Sequence, residues 1–318
     1  MPAIHAKNIK RGTGMRFNRL DLNQLVALDA LLREKSVSKA AEHVFLSQSA
    51  MSNSLTRLRE YFQDELLVPA GRKMVITSLG ERLAPEVQSI LIRIQAVTQL
   101  RENFDIYTST IEISLIVSDY ICSTFMPAVV KAVALEAPHV KIRMTLLNGT
   151  YLEKLDRGEV DFLIVPDHFS HKSHPTEPLF EDRFCCVAWN ENTELQGKVT
   201  FEDYQKLGHV VTQIGDGRTT LFEDWFLEKH GDVRRIEIVC PYFSLLPSLV
   251  VGTNRIATVH YQLAHLYRTT FPIAIYDLPV ETPVFRELIQ YHKSFESDQV
   301  SVWFRDLLRR VASTITER

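Results

Sequence analysis

Apolar positions repeat at helical spacing through most of the first hundred residues, then alternate between strand-like and helix-like periods over the rest of the 318-residue chain. Leu22, Leu25, Leu28, Leu31 and Leu32 share one face and predict a first helix. Val37, Ala40, Ala41 and Val44 form a second apolar stripe, and Leu55, Leu58 and Phe62 a third, with Phe45-Leu46-Ser47 between them. Ser47 stands where an N-cap accepts the free N–H groups of a helix's first turn. The stretch from Ser36 to Phe62 thus predicts two short helices joined by a tight turn and packed on the first helix.

The polar face of the second helix of this pair gives it a chemistry. Gln48, Ser49, Ser52, Asn53, Thr56 and Arg57 are short polar side chains, with one cation, of the kind that bond base edges and phosphates in a major groove. That arrangement is a helix-turn-helix, and Ser36, Ser38 and Ser47 join the candidate DNA contacts. A solvated face on an ordinary helical core would use the same residue types, so the flanking sequence has to decide. Leu66–Val68 and Met74–Ile76 predict two strands joined through Pro69-Ala70-Gly71-Arg72-Lys73, a hairpin wing with two cations at its tip. Arg72 is the natural probe of an adjacent minor groove. Ser78-Leu79-Gly80-Glu81 has the form of a capping box and opens a long helix. In it Leu83, Val87, Ile90, Ile94 and Val97 step by four and three, as along a two-helix coiled-coil seam, and Pro85 is expected to kink or loosen the second turn.

From Thr110 the period changes. Strands Ile111–Val117, Val140–Leu147 and Val160–Val165 alternate with helices Ile121–Glu136 and Tyr151–Arg157, a βαβαβ run that implies a parallel sheet covered by helices. Strand Phe184–Trp189 leads into a second α/β region. It holds strands Val210–Ile214, Arg235–Val239, Ile256–Val259 and Ile273–Leu278, with helices Thr219–Lys229 and around Phe243–Val251. The chain then returns through strand Leu288–His292 to a closing helix, Val300–Ile315. The fold class is multidomain α/β. A disordered lead-in covers residues 1–17, a winged helix-turn-helix 18–77 and a linker helix 78–107, while a two-lobed α/β body covers 108–318. Lobe I takes about 108–183 and 281–318, and lobe II about 184–280.

Composition narrows the classes. The chain is 45% apolar and 24% charged, as globular proteins are, and no apolar run approaches the ~20 residues of a membrane span. The start, MPAIHAKNIKRGTG, has no apolar core of a signal peptide, and Met15 is an alternative start of translation. The four cysteines match neither a CxxC pair nor a secreted disulfide framework, which places the chain in the cytoplasm with reduced thiols. The net charge of −3 is unevenly spread: +5 through Lys73 and −8 beyond it. A basic N-terminal unit on an acidic body fits DNA binding by one domain.

With the motif DLNQLVALDALLREKSVSKAAEHVFLSQSAMSNSLTRLREYF, the wing, the long helix and an α/β remainder of matching length, the sequence resembles the LysR-type transcriptional regulators over about residues 15–312. The opening MRFNRLDLNQLVALDALL and the later PYF look most like the subgroup of nodulation and aromatic-degradation regulators. The resemblance implies a cytoplasmic dimer of dimers on double-stranded promoter DNA, joined through the linker helix, with RNA polymerase as a further candidate partner. It also implies an effector domain similar to periplasmic binding proteins, with a small inducer in the cleft between its lobes. Activation and repression share this architecture.

Ligands of open α/β sheets sit beyond the carboxyl ends of strands. Those ends predict Ser118, Asp119, Asn148 and Thr150 in lobe I and Thr212, Tyr242, Phe243 and His260 in lobe II, with Tyr291 and His292 where the chain crosses back. Hydroxyls, an amide and imidazoles beside aromatic faces suit an aromatic or phenolic inducer, and aromatic acids stay open. No P-loop, nucleophile elbow or nucleotide-binding glycine pattern appears, so neither an enzyme nor a cofactor is expected. His168, His171 and His174 beside Asp167 leave a metal-responsive regulator as an alternative, although such stretches are more often solvated loops. A solute-binding protein is the other rival, weakened by the helix-turn-helix.

Arg72→Ala is expected to weaken binding to every DNA sequence and to flatten the salt dependence of affinity. Titrations over a salt series check this, and an unchanged affinity and slope would remove Arg72 from the interface.

Overall fold

A computed structural model describes residues 20–71, 73–99, 105–195, 197–214, 220–231 and 233–316. The expected lead-in, Met15 and Arg72 lie outside the described residues. Contacts divide the chain into two compact units, Met1–Val97 and Thr98–Arg318.

In the first unit α1 (Leu22–Glu34), α2 (Val37–His43) and α3 (Gln48–Phe62) bury Leu28, Leu31, Ala40, Met51, Leu55 and Leu58 against one another. Each helix starts on a side-chain cap: Asp21 accepts from Gln24 N–H, Ser36 from Lys39 N–H and Ser47 from Ala50 N–H. α1 and α3 end without glycine, on Lys35 (φ 49°) and Gln63 (φ 53°) in the left-handed region.

The wing is β1 (Leu67–Ala70) paired antiparallel with β2 (Lys73–Ile76). The expected five-residue connection is shorter, because Pro69 and Ala70 pair with Met74 and Lys73 and leave only Gly71 and Arg72 between the strands. Its base is clamped. Arg59 of α3 donates to the carbonyls of Glu65 and Leu67, both at 2.9 Å. Asp64 accepts from Leu66 N–H at 2.7 Å and from the Thr77 hydroxyl at 2.6 Å, which hold the fully buried Leu66 in its left-handed backbone (φ 60°).

The long helix α4 is described from Ser78 to Gln99 and continues through Pro85. Its cap lies one residue before the expected box: the Thr77 hydroxyl, not Ser78, accepts from Gly80 N–H. Gly80 serves close approach, since a Cβ there would lie 2.5 Å from Ile76 and 3.0 Å from the Leu66 carbonyl. The predicted seam splits. Leu83 and Val87 pack into the winged unit, whereas Ile90 and Val97 stay exposed.

The second unit holds two five-stranded sheets. The first, in order β4-β3-β5-β12-β6, uses β3 (Glu112–Val117), β4 (Lys141–Leu146), β5 (Phe162–Pro166), β6 (Thr176–Asp182) and, from the chain's return, β12 (Phe285–Tyr291). Helices α5 (Asp119–Thr124), α6 (Met126–Glu136) and α7 (Tyr151–Asp156) connect its parallel strands. The single helix expected over Ile121–Glu136 is broken at Phe125, where Pro127 lacks the N–H needed to continue the ladder from α5. Strand β6 was not foreseen; Pro178 and the charged Glu177, Glu181 and Asp182 obscure its alternation. β5 and β6 both pair antiparallel with β12, so the sheet is mixed rather than parallel.

The second sheet, in order β11-β7-β10-β8-β9, uses β7 (Phe184–Trp189), β8 (Gly208–Thr212), β9 (Arg235–Cys240), β10 (Ile256–His260) and β11 (Ile273–Tyr276). Its helices are α8 (Phe201–Lys206), α9 (Leu221–His230), α10 (Leu246–Val250) and α11 (Tyr261–Tyr267), of which α8 and α11 lie outside the elements predicted from the sequence. The last helix, α12 (Gln299–Thr316), packs Phe304, Leu307 and Leu308 on the first sheet's core. The chain crosses between sheets twice, at Arg183 between β6 and β7 and again between β11 and β12.

Arg59 and Arg57, two residues apart, face opposite duties. Arg59→Ala is expected to lower the unfolding free energy of the winged unit by about 1–3 kcal/mol through two lost charged hydrogen bonds. Arg57→Ala, at an exposed position, should leave it within about 0.5 kcal/mol. Urea titrations of both variants, with equal losses, would contradict this assignment.

Candidate functional site

The first unit presents one polar helix face. With Met51, Leu55 and Leu58 turned inward, helical geometry leaves Gln48, Ser49, Ser52, Asn53, Thr56 and Arg57 exposed on the opposite side of α3. Ser47 and Ser49 share a hydrogen bond of 3.0 Å, and the Thr56 hydroxyl donates to the Ser52 carbonyl, which leaves Gln48, Asn53 and Arg57 with the longest reach. Ser36 is occupied as the cap of α2, and Ser38 is exposed on that helix. Phe45 was not singled out from the sequence. It stands in the turn before α3 at 96% exposure with φ 56°, so its ring is held out from the unit.

The second unit has a cleft between its two sheets. Its floor is built where the chain crosses over. Tyr120, at the start of α5, donates its hydroxyl to Asp182 at 2.8 Å and stacks on the His260 ring at 4.1 Å. Asp182 also accepts from Gln262 N–H at 3.2 Å, so one carboxyl group joins the first lobe to the second. Asp119 accepts from Ser244 N–H at 2.8 Å and makes a second tie between the lobes. A narrow cavity with about 20 Å³ of free space, room for about one water, lies above this floor. Ser118, Thr220, His260 and Glu287 supply its polar groups among aromatic walls that include Phe184 and Phe243. It continues into an open groove lined by Ser118, Asp119, Ile214 and Tyr242.

Of the residues proposed from sequence, Ser118, Phe243 and His260 meet in the cavity, and Asp119 and Tyr242 line the groove. The others are elsewhere. Asn148 folds its side chain onto Thr150 in a local turn, and Thr212 is buried against Cys240. Tyr291 bonds Glu177 at 3.0 Å beneath the Arg305 guanidinium, and His292 packs on His174. Strand polarity is the reason. β12 runs antiparallel to β5, so its amino end, not its carboxyl end, meets the cleft. At the usual rise per residue Tyr291 lies about 13 Å down the strand from Glu287.

Glu287 is the residue that sequence reasoning passed over. It is 1% exposed, and neither carboxyl oxygen has a hydrogen-bond partner among the described residues. The signal was present: in the alternation Phe285, Glu287, Ile289, Tyr291 an acid occupies an inward phase. Burial, reinforced by Asp182 and Asp167, holds this carboxyl well above the usual carboxylate range. Burial also pushes the His260 imidazole down to about 3, so it stands neutral, with Nδ1 unpartnered.

The three histidines of the proposed metal loop diverge. His168 packs on Phe169 at the cavity, His171 bonds Ser173, and His174 bonds Asp156 at 2.7 Å. Among the described residues no group of three or more metal-ligating side chains converges, and no helix is long and apolar enough to cross a membrane.

The profile described as "Bacterial regulatory helix-turn-helix protein, lysR family" matches residues 22–81, and that of the "LysR substrate binding domain" matches residues 110–313. Nodulation protein D 1 of Rhizobium tropici is 42% identical over 301 residues, 95% of this chain and 98% of that protein. A probable transcriptional regulator from Pseudomonas aeruginosa superposes with a TM-score of 0.63 at 26% identity, over 92% of this chain and 97% of that one. Full-length OxyR from the same organism shares the fold, with a TM-score of 0.66 at 17% identity, over 92% and 94%.

The raised carboxyl at Glu287 has a stability consequence. The folded form keeps a proton that the unfolded chain releases near pH 4.5, so its contribution is complete below that pH and is lost as pH rises through the folded value. As pH rises above about 4.5 the unfolding free energy is therefore expected to fall, by up to about 1.4 kcal/mol per pH unit for one group. Urea titrations across that window check it, and Glu287→Gln should flatten the slope.

Proposed function

The chain belongs to the LysR family of bacterial transcriptional regulators, and from that premise we propose that it reads promoter DNA as a dimer of dimers and answers to an aromatic or phenolic inducer held in its cleft. Residues 18–77 read the DNA, 78–107 join protomers, and 108–318 sense the inducer. The observation that carries this reading is the exposed polar face of α3 backed by a buried apolar one, in a chain that also carries a cavity walled by aromatic rings.

Gln48, Ser49, Ser52 and Asn53 face base edges, while Arg57 and Arg72 supply phosphate and groove electrostatics and Ser36, Ser38, Ser47 and Thr56 fix the approach. Ile90 and Val97, exposed on α4, are the seam left for a second protomer. Ser118, Tyr242, Phe243 and His260 contact the inducer. Such a protein works in the cytoplasm, and RNA polymerase is its partner once the promoter complex changes shape. Activation of the promoter is the output we propose.

Selection of bound duplexes from a random pool tests the reading. The full-length protein is expected to recover paired half-sites related by two-fold symmetry. Asn53→Ala should relax one base position by about 1–3 kcal/mol, and Arg57→Ala should weaken all sequences alike. An unchanged selected sequence in Asn53→Ala, or recovery of a single unpaired box, would overturn it.

A further inference from the structure

Phe45 is unfavourable to the free protein on two counts. It stands just after the C-cap of α2, where its N–H donates to the Glu42 carbonyl at 3.3 Å and the Leu46 N–H to the Ala41 carbonyl at 2.9 Å. These paired bonds close a helix on a left-handed residue, here Phe45 at φ 56°. Glycine or asparagine usually takes that position, because a bulky side chain in left-handed backbone crowds the following carbonyl. The ring is also in water. It is 96% exposed, whereas the next most exposed large apolar side chain among the described residues, Leu135, stands at 73%. Nothing among the described residues covers Phe45, so neither the strain nor the exposure is offset within the chain.

Its place says what would offset them. Phe45 precedes Ser47, the N-cap of α3, and Gln48 and Ser49 of the exposed polar face follow at once. Three residues of chain span at most about 11 Å, less than the roughly 12 Å width of a major groove. A groove that admits the amino end of α3 therefore takes in the Phe45 ring with it. A phenyl ring has neither donor nor acceptor and cannot bond a phosphate or a polar base edge. The one apolar group that the major groove presents is the 5-methyl of thymine.

We propose that Phe45 reads a base, its ring packing on the 5-methyl group of a thymine next to the bases met by Gln48 and Ser49. The proposal rests on α3 being the DNA-reading helix. It adds an apolar contact to a face otherwise made of polar side chains, and it reads a group that hydrogen bonds cannot. The two backbone bonds hold the turn in shape before DNA arrives, so the strain is met on folding and not on binding.

The test uses the full-length protein and the duplex that wild type selects from a random pool. Each thymine of one half-site is replaced in turn by deoxyuridine, which lacks only the 5-methyl group. Wild type is expected to bind about fourfold more weakly at one such position, the contribution of a single buried methyl. Phe45→Asn should bind the all-thymine duplex about tenfold more weakly and show no further loss at that position. Phe45→Leu, which stays apolar, should keep part of the loss. Without DNA, Phe45→Asn should raise the urea midpoint of the winged unit, because asparagine tolerates left-handed backbone; a ring packed within the protein would lower it. Equal affinity of wild type and Phe45→Asn, the same deoxyuridine loss in both, a wild type indifferent to every deoxyuridine, or a lowered midpoint overturns the contact while leaving α3 as the reading helix. Failure of wild type to select any duplex overturns the contact and the promoter reading together.

Discussion

The second unit depends on joining two sheets without filling the space between them, and Asp182 does most of that. It sits at the end of β6, where the chain leaves the first sheet, and it accepts hydrogen bonds from Tyr120 on one side and Gln262 on the other. Its own carboxyl is raised by burial, against the pull of those donors. An apolar side chain at this place would pack but would not orient, whereas a carboxyl with several fixed donors sets the angle at which lobes meet. Around it Tyr120, His260, Phe184 and Phe285 close the floor, so the cavity above has a rigid base and one open side.

In the first unit the corresponding constraint is the base of the wing. A buried leucine in left-handed backbone is unfavourable by itself, and Asp64, Thr77 and Arg59 surround it with the bonds that hold it there. That cluster ties α3, both wing strands and the start of α4 into one body. The exposed face of α3 can therefore be made of short polar side chains, because the buried face and this cluster hold the unit together.

Much of this was legible along the chain. The helix-turn-helix, its Ser47 cap and its polar face follow from a 3.6-residue period, which depends only on neighbours in sequence. The lobe strands were likewise visible wherever they form continuous apolar runs, as in Phe184–Trp189. β6 escaped because its alternation is written partly in charged residues that pair on the sheet surface, Glu181 with Arg286 among them. The lining of the cavity is legible by halves. Ser118 and His260 stand at the carboxyl ends of β3 and β10, where the rule for strand ends looks. Glu287 stands near the amino end of β12, where that rule points instead to Tyr291 at the other end.

By itself, then, the sequence determined the local elements, the exposed polar face of α3 and the division of charge between a basic N-terminal unit and an acidic body, since periodicity, capping and composition are local properties. Only the tertiary structure decided which residues share the cleft, that β12 enters it amino end first, and that a buried acid stands there with no hydrogen-bond partner among the described residues. Those facts depend on the pairing of β5 with β12, which lie more than a hundred residues apart, and no local period carries the direction in which distant strands meet.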